Sequence, residues 1–229
     1  MKLSVIIPTL NEEKYIGRLL AHLARYADER LLEIIVVDGG SSDRTAEIVR
    51  RNGAVFMQAS KAGRALQFNA GVAAAKGDVF YFVHADVLPP ASFLTSIENA
   101  LAAGHQLGAC RQKFENAGFL LHVNAWFTRF NSLYVRGGDQ TIFITRKAFE
   151  QLGGFDEKYI IMEEYDLLNR ARKLFSFAVL PCATLTSTRK YEKNTWLRVQ
   201  LANLRAVRQF KRGIDPVIIR DTYKKSLNW

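Results

Sequence analysis

Short polar clusters stand at the ends of apolar runs in this chain, and their residue types suit the handling of phosphates and divalent ions. His84-Ala85-Asp86 follows the run Val79 to Val83. If the chain stays extended there, alternate side chains share a side, and the imidazole and carboxylate face one metal ion. A carboxylate beside a diphosphate suits Mg²⁺ or Mn²⁺, which bridges phosphate oxygens and neutralises charge as a nucleoside diphosphate leaves. Imidazole is tolerated better by Mn²⁺ than by Mg²⁺. A satisfied structural histidine is the other reading of His84.

Further clusters carry both a chemical and a structural reading. Pro8-Thr9-Leu10-Asn11-Glu12 is neither the GxGxxG of dinucleotide-binding folds nor a P-loop. Asn11 can cap the helix that follows, with Glu12 and Glu13 at its positive end. Asp38-Gly39-Gly40-Ser41-Ser42-Asp43 reads as a tight turn leading into a capped helix, and an acid at a strand tip also binds ribose or base edges. Arg64 opens a helix after Gly63, where backbone N–H groups and a guanidinium can meet a phosphate; a solvated helix position is the alternative. Asn69 is a polar position farther along that helix. Glu163-Glu164-Tyr165-Asp166 matches the acid-rich first turn that a helix macrodipole favours. His22, His105 and His122 have no ligand spacing and read as structural or solvated.

The elements that must position these clusters follow from apolar periodicity. Leu3 to Ile7 is a β-branched run ended by Pro8, and Ile16, Leu19, Leu20 and Leu23 then recur at helical spacing. Glu33 to Val37 reads as a strand, Asp43 to Arg51 as a helix, Ala54 to Met57 as a strand, Arg64 to Ala75 as a helix and Val79 to Val83 as a strand. This alternation predicts an α/β fold with a Rossmann-like, mostly parallel sheet flanked by helices, whose ligands bind beyond the carboxyl ends of the strands. The second half is less regular. It has an aromatic stretch from Phe119 to Phe130, a strand-like Gln140 to Thr145 and a helix beginning near Glu163. Thr195 to Arg212 is helical, Gly213 breaks it, and Asp215-Pro216 starts another short helix.

Composition narrows the function classes. The 229 residues, 48% hydrophobic, suffice for one catalytic-sized domain. Cys110 and Cys182 are too few for a disulfide scaffold and read as buried thiols in a reducing compartment. No export signal and no membrane-spanning run is expected, which places the chain facing the cytoplasm with at most a peripheral contact at the inner face of the membrane. The net charge of +10 is uneven, because eleven Lys or Arg against three Asp or Glu lie from Arg189 onward. The expected organisation is a domain over residues 1–190 and a basic helical extension over 191–229.

Taken together, these blocks resemble the inverting glycosyltransferases of family 2, whose nucleotide-binding α/β fold is called GT-A. The matching segments are SVIIPTLNEE at 4–13, IIVVDGGSSDRT at 34–45, GRALQFNAGVAAAKGD at 63–78, FVHAD at 82–86, GGDQTIFITRKAFEQLGGFDE at 137–157 and MEEYDLLNRA at 162–171. They span about 170 residues in the family's order. The resemblance implies nucleotide contacts from Pro8, Thr9, Asn11, Glu12 and Asp38. Gly39 departs from the family's paired acids at that turn. Arg64, Asn69 and Asp139 are further candidates for binding the nucleotide sugar, Asp139 by lining the donor or acceptor pocket.

By the same resemblance the metal motif, usually DxD, reads His84-Ala85-Asp86, with Asp86 as the retained ligand and His84 a further candidate. Glu164 matches the general base, with Glu163 and Asp166 able to share the work. The implied reaction moves a sugar from a nucleoside-diphosphate donor to a hydroxyl acceptor, lipid-linked or a cell-envelope glycan precursor, with inversion and a divalent Mn²⁺ or Mg²⁺. No QxxRW-like segment follows the acidic block, so a single transfer per encounter fits better than processive synthesis. A sugar nucleotidyltransferase and a catalytically weakened adaptor at a membrane surface or on nucleic acid are the competing readings; RNA and DNA are not expected as partners.

In the extension, Arg198, Arg205 and Arg212 fall in line on a helix, and Trp196, Val199, Val207 and Phe210 gather on another face. Such a helix either docks on an anionic bilayer or packs its apolar face on the domain. Arg189 and Lys190, just before it, are candidates for holding the diphosphate. The aromatic stretch, with Phe119, Trp126, Phe127 and Phe130, is expected to be core or acceptor-pocket wall rather than a stacking platform for nucleic acid.

Overall fold

A computed structural model of the chain describes residues 1–115, 118–136 and 140–228. The N-terminal half alternates strand and helix as the periodicity predicts: β1 (Leu3–Thr9), α1 (Ile16–Arg25), β2 (Leu31–Asp38), α2 (Thr45–Arg51), β3 (Val55–Gln58), α3 (Arg64–Ala74) and β4 (Val79–Phe82). A short β5 (Val87–Leu88), α4 (Phe93–Ala102), β6 (Leu107–Phe114), α5 (Phe119–Phe127) and a single 3₁₀ turn (Leu133–Val135) lead to β7 (Ile142–Thr145) and α6 (Arg146–Gln151). The chain ends with α7 (Glu163–Ala171), β8 (Phe177–Thr186), α8 (Arg189–Glu192), α9 (Trp196–Lys211) and α10 (Pro216–Ser226).

The strands form one sheet of order β3-β2-β1-β4-β7-β6-β8-β5. β1 lies between β2 and β4 and is parallel to both. β7 then runs antiparallel to β4 and to β6, and β8 is parallel to β6. Because β2 lies on one side of β1 and β4 on the other, the strand order reverses direction at β1, where open α/β sheets form a ligand crevice. The β1–β4 pairing ends at Ile6 opposite Phe82. The two chains part there, and Pro8 stands beyond the last residue shared with β4.

Alternation along β1 supplies both apolar layers. Leu3, Val5 and Ile7 join Ile16, Leu19 and Leu23 of α1 and Phe93 and Ile97 of α4 on one face. Ile6 joins Phe68 of α3, Phe149 of α6 and Leu167 of α7 on the other. β6 carries Gly, Arg, Gln and Lys, so its strand character is not visible as an apolar run. Gly108 within it is demanded by packing, since a Cβ there would lie 2.5 Å from the Ala178 carbonyl oxygen and 2.6 Å from the Phe143 ring.

Two expectations about the second half need correction or extension. The aromatic stretch is not core: Phe119, Trp126, Phe127 and Phe130 are all exposed, and Leu121 is the buried residue of α5. In the extension, Thr195 caps α9 by accepting from the Arg198 N–H, Gly213 adopts positive φ, and Asp215 caps α10 with Pro216 at its first turn, so the helix, its break and the second helix start lie where the sequence reading put them. The inner face of α9 buries Val199, Ala202, Ala206 and Val207, while Phe210 meets the rings of Tyr159 and Tyr165. Among the described residues, no helix is long and apolar enough to cross a membrane.

Candidate active site

The loops after β1 and β2 are bound to each other. Thr9 Oγ1 donates to Asp38 at 3.0 Å, and the Asp38 carboxylate also accepts from the N–H groups of Gly40 and Ser41 and from the Ser41 hydroxyl. Asn11, at φ 56°, accepts from the Ser42 N–H at 2.9 Å, while its own N–H donates to Ser41 Oγ. Asn11 therefore ties the two loops together rather than capping α1, whose first residue is Ile16. Gln67 of α3, 3% exposed, donates to the carbonyls of Thr9 and Val37 and accepts from the Gly63 N–H. Sequence reasoning passed over Gln67; its only signal is a polar residue on the buried side of an otherwise apolar helix face.

At the end of β4 the chain does not stay extended. The Val87 N–H bonds to the His84 carbonyl, closing a turn that sends His84 and Asp86 to different partners. His84 Nε2 lies 2.7 Å from Glu164 Oε1, both side chains being nearly buried. Asp86 Oδ2 lies 2.9 Å from Arg189 Nε, and the same guanidinium reaches Glu12 at 3.0 Å and lies over the Tyr15 ring. The two side chains thus have separate partners, Glu164 and Arg189, in place of the extended side-by-side arrangement considered from the sequence. Arg189, anticipated as a holder of the diphosphate, sits between acids from the ends of β1 and β4.

The acidic block opens α7 as its composition predicts, after Met162 at φ 67°. Glu163, 1% exposed, lies 2.8 Å from Arg64 Nε, so the start of α3 and the start of α7 are paired by charge. Two candidates lie apart from this constellation. Asp166 turns to Arg170, which in turn donates to the carbonyls of Leu152 and Gly154. Asn69 donates to the Phe155 carbonyl and accepts the Phe155 N–H, a structural clamp between α3 and the loop before α7. Asp139 lies outside the described residues. His22, His105 and His122 make local bonds to Pro89, Ser176 and Gly118.

The charges at the site influence one another. Burial works against a charged His84, but the adjoining Glu164 carboxylate outweighs it and raises the imidazole pKa above its ordinary value. Burial likewise raises the carboxyl pKa of Glu163, against the pull of Arg64, and that of Glu12, against the pull of Arg189. Among the described residues, no group of three metal-ligating side chains converges. The donor set still fits an ion held chiefly by substrate: Mg²⁺ and Mn²⁺ commonly take one or two carboxylates and complete their shell with phosphate oxygens and water. The Asp86 carboxylate is of the type such a shell takes, while His84 Nε2 is engaged by Glu164.

Residues 4–150 match the family model for glycosyl transferase family 2. The chain belongs to this family. Among curated relatives, a probable glycosyltransferase, YdaM, from Bacillus subtilis (strain 168) is 30% identical over 226 aligned residues, covering 85% of this family 2 chain and 52% of its own. A dolichyl-phosphate hexose transferase of Haloferax volcanii is 33% identical over 105 residues, 46% of this chain and 45% of its own. The family 2 chain thus spans about half the length of these relatives. A solved structure of the mannosyltransferase PcManGT from Pyrobaculum calidifontis, with GDP-Man and Mn²⁺, superposes with a TM-score of 0.69 at 20% identity, covering 88% of this chain and 61% of that one. The fold is GT-A, a mixed α/β sheet flanked by helices.

Proposed function

We propose that the chain transfers a sugar from a nucleoside-diphosphate donor to a hydroxyl acceptor, inverting the anomeric configuration, once per encounter. The observation that carries this reading is the seating of Glu164, buried and hydrogen-bonded to His84, in the same constellation as Asp86 and Glu12 at the switch point of the sheet. In this mechanism the nucleotide lies against the loops after β1 and β2, with Pro8, Thr9, Asn11, Glu12 and Asp38 shaping its bed. Arg64 lies at the start of α3, where helix N–H groups and a guanidinium favour phosphate. A divalent ion, Mn²⁺ or Mg²⁺, held by Asp86 would neutralise charge on the leaving diphosphate.

Glu164 then takes the proton of the acceptor hydroxyl as that oxygen attacks the anomeric carbon from the face opposite the diphosphate. The anomeric C–O bond to the phosphate breaks, and the nucleoside diphosphate leaves with the electron pair. General-base assistance of this kind contributes on the order of 10²–10⁴ in rate. His84 holds the Glu164 carboxylate in place. The family, the Mn²⁺ and GDP-Man of one structural neighbour and the dolichyl-phosphate substrate named for one relative support a nucleotide-sugar donor and a lipid-linked acceptor.

Calorimetry with UDP, GDP and dTDP in the presence of Mn²⁺ tests the donor half. Binding of at least one is expected, and binding of none ends the proposal. A Glu164→Gln variant tests the base, with donor binding retained and transfer lost; undiminished transfer removes Glu164 from this role.

A further inference from the structure

The surface of the molecule carries an apolar and cationic face that the proposed chemistry does not use. Trp126, Phe127 and Phe130, at the end of α5 and just past it, pack on one another with ring centroids 5.0–6.1 Å apart, yet each is nearly half exposed. Phe119, at the start of the same helix, is 80% exposed. Four aromatic rings at water-facing positions form an apolar exposure that a protein with no partner at that surface usually avoids.

α9 adds a second stripe. Its inner face is occupied by the helix's own packing, and Leu197, Leu201 and Leu204, spaced i, i+4 and i+7, stand exposed on the opposite side. Arg198, Arg205 and Arg208 flank these leucines and are exposed as well. Arg198, Arg205 and Arg212, aligned in the sequence reading, are all exposed, and the apolar residues on their side of the helix are these three leucines.

α5 and α9 are neighbours at both ends. A cavity of about 350 Å³ between their first turns is lined by Phe119, Leu120, Leu121, Tyr191 and Trp196. Past their other ends, the Lys211 ammonium lies 3.7 Å from the centre of the Tyr134 ring. Charge decides what this face fits. From Thr195 to Ile214 there are five Lys or Arg and no Asp or Glu, and from Gly118 to Arg136 two Arg and again no acid. Aromatic and leucine side chains beside unopposed cations match the acyl boundary and headgroups of an anionic bilayer. Only three residues separate α9 from Arg189–Glu192, so the face adjoins the site where Arg189 meets Asp86.

We propose that α5 and the outer face of α9 form a docking surface for membranes containing anionic lipids. It rests on the proposed transfer to a lipid-linked acceptor only for its purpose; the binding itself is independent of catalysis. Trp126, Phe127, Leu201 and Leu204 enter the interface, and Arg205 and Arg208 meet lipid phosphates.

Flotation of the full chain with vesicles of phosphatidylcholine and phosphatidylglycerol, against phosphatidylcholine alone, tests this. Binding is expected only with phosphatidylglycerol, at least tenfold weaker in Arg205→Glu/Arg208→Glu and in Trp126→Glu/Leu201→Glu, and weakened by salt. Retained UDP and Mn²⁺ binding, or an unchanged circular dichroism spectrum, certifies that the variants fold. Absence of flotation, or equal flotation by folded variants, overturns the proposal. So does a change from dimer to monomer in Trp126→Glu/Leu201→Glu without any vesicle binding, which would make the face a contact between copies. Glu164→Gln should float as the unmodified chain does, so loss of transfer and loss of docking report on different proposals.

Discussion

Nε2 of His84 lies 2.7 Å from Oε1 of Glu164, a hydrogen bond between residues 80 apart in the chain. With 11% and 7% of their side chains exposed, the two form one buried unit. The pairing gives the histidine at the first position of HxD a role that needs no metal, namely orienting the carboxylate proposed as base.

Removing the imidazole leaves a buried carboxylate without that partner. His84→Ala should therefore destabilise the fold by about 1–3 kcal/mol, whereas His84→Gln, which keeps a donor, should recover most of it. Urea unfolding of both variants measures the difference; equal losses would mean that the hydrogen bond contributes nothing separable from packing.

Arg189 stands where an ion on Asp86 would come, its guanidinium bridging Asp86 and Glu12. An ion taken up at that Asp86 oxygen competes with the guanidinium. Arg189→Ala should accordingly bind Mn²⁺ alone about three- to tenfold more tightly, roughly 0.7–1.4 kcal/mol. A Mn²⁺ titration followed by electron paramagnetic resonance reads the free ion directly, and unchanged affinity would show that the guanidinium does not compete.

Asn69 was a candidate for the nucleotide sugar, yet both ends of its amide are spent on Phe155. Asn69→Ala should lower stability by about 1–3 kcal/mol through two lost backbone partners and leave the dissociation constant for UDP within about twofold. A much weaker UDP affinity in a stably folded variant would return Asn69 to the binding site.

Gly108 has no room for a methyl group against Ala178 and Phe143. Gly108→Ala should cost about 1–3 kcal/mol or more, because two strands and an aromatic ring must shift. The midpoint of thermal unfolding is the measurement, and a midpoint matching the unmodified chain would contradict the close approach.

Cys182 lies 3.7 Å from Cys110, sulfur to sulfur, and its thiol pKa is lowered to about 6 by the hydrogen bond from Cys110, with the Ser96 and Ser92 hydroxyls helping. The hydrogen bond with Cys182, and then burial, push Cys110 the other way. Since the thiolate is the nucleophile, alkylation of Cys182 by iodoacetamide should level off above about pH 6–7, not continue to climb toward pH 9. Peptide mapping across pH 5–9 follows each cysteine, and an inflection near 9 at Cys182 would refute the shift.

How much was legible follows from which signals are local. The run Leu3 to Ile7 and the recurrence Ile16, Leu19, Leu20, Leu23 marked a strand and a helix, because alternation and helical spacing are written in neighbouring residues. The acidic turn at Glu163 and the helix start at Asp215-Pro216 were readable for the same reason. β6 was not, since Gly108, Arg111, Gln112 and Lys113 interrupt its apolar pattern, and its place between β7 and β8 comes from pairing partners far along the chain. The core alternative for the aromatic stretch failed because Phe and Trp signal burial by composition alone, while exposure depends on what packs above them.

The sequence by itself determined the α/β alternation, the ordered family 2 blocks and the polar residues waiting at strand ends. The tertiary structure alone decided which of them meet. His84 turns to Glu164, Arg189 reaches Glu12 across 177 residues, and Asn69 and Asp166 are drawn into the scaffold. Periodicity reports which face of an element is apolar, but partners across a sheet are set by strand order and by single turns such as the one closing at Val87, which no local pattern encodes.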